Sequence, residues 1–215
     1  MKRFLLEPLI VLASVLVLLK VAQFFFPLSI VGFMTPLLLL YVPLFIFWRK
    51  GESVDFVEKN VSQSIQGLLA FAVLVLIIFP PYLIVAHYWM LKVFHYNGFH
   101  AAPVSLFFKN GIYQLLVVAL PEEFFFRGYF QSQLKKFFKP RWNILGVSLG
   151  WGWIMTALIF AFAHSVIHVR WWHFSIFFPA LLFGYLKERT GSITAPVLFH
   201  AFSNCFTVWY MHSYI

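Results

Sequence analysis

The chain has 215 residues, 62% of them hydrophobic and only 11% charged, with a formal net charge of +9. A soluble domain carries about 25% charged residues, so this composition excludes a disordered chain and argues against a soluble globular one. At roughly 20 apolar residues per crossing, the length fits six to eight spans. The expected fold class is all-α: a polytopic transmembrane helix bundle of about seven spans, one integral membrane domain over residues 1–215. The basic excess does not point to nucleic acid. Lys and Arg sit mainly at the ends of apolar runs, where they anchor topology, so the expected partner is the lipid bilayer.

Span one is read over Phe4 to Phe26. It is long for a signal-peptide core and ends at Pro27 without a small-residue cleavage site, so a retained span is expected. Span two covers Leu28 to Trp48 and closes on Arg49 and Lys50. A polar segment, 51–64, holds Glu52, Asp55, Glu58 and Lys59. Span three runs from Ile65 to Lys92 and is interrupted by Pro80 and Pro81, which should kink it. Span four starts near Ser105, continues toward Phe138 and holds Lys109, Pro121, Glu122, Glu123 and Arg127. Spans five, six and seven cover about Ile144–Val166, Trp171–Leu186 and Ile193–His212. The single cysteine, Cys205, rules out an internal disulfide.

Orientation follows from the basic residues. With the N-terminus inside, inner segments hold eleven of them, outer loops hold Lys92 and Arg170, and Lys20, Lys109 and Arg127 lie within spans, which accounts for all 16. This bias predicts a cytoplasmic N-terminus and seven crossings.

Four of the seven acids, Glu52, Asp55, Glu58 and Glu188, fall in predicted loops, and Glu7 lies near a membrane face where it can snorkel to water. Glu122 and Glu123 are inside an apolar run, where each charge costs about 2.5–3.5 kcal/mol at a span centre. Arg127 is four residues beyond Glu123 and can pair with it on one helix face. Glu122, turned about 100° away, is the less neutralised acid and the better candidate for a general base. His164 lies one turn after Phe160, and Asn204 one turn after His200. Three spans thus offer polar faces at membrane depth, able together to activate a water and stabilise an oxyanion.

Other readings attach to the same residues. His164 can be a helix-to-helix hydrogen-bond donor, Asn204 packing glue, and Glu123 with Arg127 a structural pair. The remaining histidines, including His87, His95, His100, His168, His173 and His212, fall at span ends or in loops and are read as interfacial. Two His and two Glu suit zinc, but the HExxH pattern is absent and Arg127 would compete with a cation. A metal-free mechanism is therefore favoured, with no cofactor, and zinc is the alternative. A proton-coupled transporter ranks low, because no corresponding broken helices stand in two halves.

Glu122–Arg127 reads as EExxxR, Phe160–His164 as FxxxH and His200–Asn204 as HxxxN, with Gly128 and Tyr129 after the arginine. In this order the motifs resemble the CPBP intramembrane proteases, which include the CAAX prenyl endopeptidases and the bacterial Abi-type immunity proteins. The resemblance covers about residues 105–210 as a catalytic core; residues 1–104 carry no recognised motif. It implies an intramembrane endopeptidase acting on a membrane peptide or protein. Glu122, helped by His164, would activate water; His200 and Asn204 would hold the oxyanion; Glu123 and Arg127 would orient Glu122. The family has been described both as metalloproteases and as glutamate proteases. A short basic chain looks bacterial, which implies the cell membrane and substrates in immunity, peptide maturation or trimming of C-terminal sorting tails. The alternative is a non-catalytic membrane immunity or scaffold protein that binds a peptide or partner.

Overall fold

The computed structural model describes residues 2–167 and 171–215; His168 and Arg170 lie outside the described residues. Seven helices form an all-α bundle among them. They are α1 (Arg3–Phe25), α2 (Leu28–Lys50), α3 (Val61–Lys92), α4 (Val104–Phe137), α5 (Trp151–Ile167), α6 (Phe177–Thr190) and α7 (Thr194–Met211). The first four are long and apolar enough to cross a membrane. The last three are shorter: α5 extends about 25 Å and α6 about 21 Å at 1.5 Å per residue.

The core is built around the second half of α4. All eight residues from Phe124 to Gln131 are buried, with α1, α2, α5 and α6 packed on that half of the helix and α7 packed along its first half, residues 104–123. The outside is inverted relative to a soluble protein. Phe24, Ile84, Phe108 and Ile112 are each more than half exposed, which suits a surface facing hydrocarbon rather than water. α3 lies at the periphery, against α6 and α7.

Three sequence expectations change. α3 is not interrupted: the helix runs through Pro80 and Pro81. A proline φ is already helical, and the bond each ring removes is tolerated where α7 packs alongside. Span five does not begin at Ile144. Trp142–Ile144 and Val147–Leu149 form an antiparallel hairpin, because Leu145 (φ 49°) and Gly146 (φ 79°) are both left-handed, as a tight two-residue hairpin turn requires. Glu188 is not a loop residue. It lies in α6, its side chain 5% exposed, paired with Lys135 and Lys187.

The charged helix ends gather at one end of the bundle. Glu7 of α1 pairs with Lys50 of α2 and Arg3, and accepts a hydrogen bond from Tyr129 of α4 at 3.2 Å. Glu7 is thus held by partners rather than released to water. The polar segment before α3 folds across this same end. Phe56 is buried in the core, its carbonyl accepts from Ile193 N–H at 3.0 Å, and Glu58 accepts from Thr194 Oγ1 at 2.6 Å and from Ser192 Oγ.

Candidate active site

Glu122 and Glu123 stand in a short α-helical stretch, Leu120–Glu123, flanked by two widened, π-helical turns, Gln114–Ala119 and Phe124–Gln131. Pro121 is the local cause on its N-terminal side: it has no N–H to return to the preceding turn. Turns of this kind recur at functional sites because they redirect side chains and loosen the backbone ladder.

Glu123 is completely buried. Its Oε2 lies 3.2 Å from Arg127 Nε, both side chains at 0% exposure. A second guanidinium nitrogen of Arg127 donates to the Ala180 carbonyl at 3.2 Å. The guanidinium also lies 4.3 Å over the Phe160 ring and 5.2 Å from that of Phe183. One cation thus joins α4 to α5 and α6. Removing one partner of such a buried pair costs about 3–5 kcal/mol, so Glu123 and Arg127 are bound to each other by structure.

The other oxygen of Glu123 accepts from His200 Nδ1 at 2.9 Å. The His200 ring is stacked on Phe183, centroids 4.8 Å apart and planes 13° apart, which fixes its direction. His164 donates from Nδ1 to the Phe160 carbonyl at 2.9 Å. In the neutral ring this leaves the lone pair on Nε2. Glu122 Oε2 is 3.6 Å from His164 Nε2 and 3.9 Å from His200 Nε2, and it has no hydrogen-bond partner among the described residues. The two acids therefore differ: Glu123 is committed to Arg127 and His200, while Glu122 faces two imidazole nitrogens just beyond direct hydrogen-bond reach.

The structure thus brings Glu122, Glu123, Arg127, His164 and His200 into one network drawn from α4, α5 and α7. Asn204, one turn after His200, donates from Nδ2 to Gln114 Oε1 at 2.9 Å. Gln114 was not among the sequence candidates. Its signal was available, an amide inside an apolar run, but only its partner on α7 gives it a place. For zinc, Glu122, His164 and His200 would be the donors. No group of three or more His, Cys, Asp or Glu able to hold a metal ion occurs among the described residues, and Arg127 already occupies Glu123.

A cavity of about 240 Å³ adjoins Glu122. Glu122 and His164 form part of one wall; Leu12 and Leu16 of α1 and Gly32 and Leu39 of α2 form part of the other. Two helices without any motif thus complete the surroundings of Glu122.

No curated protein and no solved structure matches the chain. Residues 103–206 match the family model described as Type II CAAX prenyl endopeptidase Rce1-like. That stretch runs from the start of α4 into α7 and contains every member of the network. Over that stretch, just under half of its length, the chain is similar to the Rce1-like family of the CPBP/Abi group, a family of CAAX-type intramembrane proteases.

Proposed function

We infer that this protein is an integral membrane endopeptidase that hydrolyses a peptide bond of a membrane-embedded or lipid-associated substrate, with Glu122 as the general base. The supporting observation is the position of Glu122 Oε2, 3.6 Å from His164 Nε2 and 3.9 Å from His200 Nε2, on the wall of an apolar cavity. These separations suit one bridging water better than a direct contact.

In this mechanism a water held between Glu122 and His164 gives a proton to Glu122 as its oxygen attacks the scissile carbonyl. The carbonyl oxygen becomes an oxyanion. Asn204 is the neutral donor to it: one hydrogen of Nδ2 is held by Gln114, which orients the amide and leaves the second for the oxyanion. His200 is held at Nδ1 by Glu123, so it can donate only from Nε2, and only as imidazolium. Collapse of the tetrahedral intermediate breaks the C–N bond, and the proton on Glu122 passes to the leaving amine. Glu123 and Arg127 hold the geometry. The basic residues, eleven in inner segments against two in outer loops, support a cytoplasmic N-terminus, and a short basic chain of this kind suits a bacterial cell membrane.

General acid–base groups contribute about 10²–10⁴-fold. In vesicles supplied with a mixture of apolar peptides, Glu122→Gln and His164→Ala are each expected to lower cleavage at least a hundredfold with the protein still folded. Full activity of Glu122→Gln would refute the assignment. Activity that survives exhaustive chelation is expected; loss on chelation, with recovery on added zinc, would replace the glutamate mechanism by a metal-dependent one.

A further inference from the structure

The cavity beside Glu122 has a composition that selects its occupant. Among the described residues, apart from Glu122 and His164, its lining offers only the hydroxyls of Thr35 and Tyr113 as polar side-chain groups, and Glu122 is the only acid or base other than histidine. The remainder is Leu, Val, Ile, Phe, Ala, Pro and Gly. Its volume, about 240 Å³, exceeds the roughly 150 Å³ that holds a benzene-sized group in an apolar cavity. A charged or strongly polar group placed there would find too few partners.

Distance links this space to the reaction. Successive Cα atoms stand about 3.8 Å apart, so when a scissile bond lies at Glu122, the side chain flanking it is within reach of the cavity that Glu122 lines. Gly32 lines the same cavity from α2. A Cβ built at Gly32 meets no atom within 4 Å, so a larger side chain there extends into open space rather than into packed neighbours. Thr35, one turn further along α2, has its hydroxyl donated to the Val31 carbonyl at 2.9 Å, which ties that group to its own helix.

We propose that α1 and α2 form a specificity subsite for one large apolar side chain of the substrate, next to the scissile bond, and that Gly32 sets its size. The proposal rests on the hydrolytic reading of Glu122 and adds a substrate preference to it. The helices concerned lie outside the family-matched stretch.

The test uses the full-length protein in phospholipid vesicles with apolar peptides that differ only at one central residue (Ala, Val, Leu, Phe or Trp), cut sites being read by mass spectrometry. Wild type is expected to prefer Leu or Phe on one side of the cut. Gly32→Phe should lower kcat/KM at least tenfold for those peptides, mainly through KM, and change the Ala peptide less than twofold. Thr35→Leu should do the same more weakly, and serves if Gly32→Phe fails to fold. Photo-leucine placed at the same peptide position should cross-link to α1 or α2 in the uncleaving Glu122→Gln protein. An unchanged size preference, or cross-links confined to other helices, would overturn the subsite. If Glu122→Gln is inactive while preference is unchanged, the subsite alone fails. If preference shifts while Glu122→Gln stays active, the subsite stands and Glu122 loses its role.

Discussion

At the scale of single residues, Gly128 shows why the position after Arg127 takes no side chain. A Cβ there would stand 2.4–2.8 Å from three ring carbons of Phe56, far inside contact distance. Phe56 cannot easily retreat, since it packs edge-on against Phe124 at 5.0 Å and against Phe47 at 5.8 Å. Gly128→Ala should therefore destabilise by about 1–3 kcal/mol, the usual cost of overpacking a filled core. Phe56→Leu should restore part of that loss in the double variant, measured by thermal unfolding in detergent. A double variant no more stable than Gly128→Ala would show that Phe56 is not the obstacle. The two neighbouring glutamates make the complementary point. Their one-residue offset sends Glu123 to Arg127 and His200 and leaves Glu122 at the cavity.

At the scale of elements, the segment between α2 and α3 is a clamp rather than a solvated loop. Glu58 lies at the start of α7 and takes hydroxyl hydrogen bonds from Ser192 and Thr194. An anion there also meets the positive end of the helix dipole. Glu58→Ala should cost roughly 1–3 kcal/mol by leaving those donors unpaired. At about 2–4 °C per kcal/mol for a chain of this size, the midpoint of unfolding should fall by several degrees, and an unchanged midpoint would refute the clamp. The sequence could not reveal this, because Glu58 and Thr194 are 136 residues apart and hydropathy carries no pairing information. The helices themselves were legible from their apolar runs, and so were the three polar faces, because charge and amide groups in hydrocarbon stand out. The hairpin at 142–149 was not, since its short apolar run fits a helix equally well until Leu145 and Gly146 take left-handed φ. Gln114 was missed because a lone amide acquires meaning only from Asn204 across the bundle.

At the scale of the whole molecule, Lys50, Lys135 and Lys187 are joined to Glu7 and Glu188 at one end of the bundle, while the C-terminus pairs with the segment after α3: Asn97 N–H donates to the Ile215 carbonyl at 2.7 Å. Single cysteines introduced in a Cys205→Ser background check the orientation. A cysteine at Lys139 should react with membrane-impermeant maleimide only after the cell membrane is opened, and one at Asn97 in intact cells; the reverse pattern would invert the topology. The cavity has a further consequence for what counts as a minimal unit. The stretch that carries the family resemblance, residues 103–206, does not enclose its own acid. Stripped of the first two helices, Glu122 would meet acyl chains on the side now covered by Leu12, Leu16 and Leu39, at roughly the 2.5–3.5 kcal/mol that bilayer insertion exacts for an exposed charge. The leading helical pair is thus a shield as much as a wall, and the chemistry of the second half is insulated from the bilayer by a part of the chain that bears no signature of it.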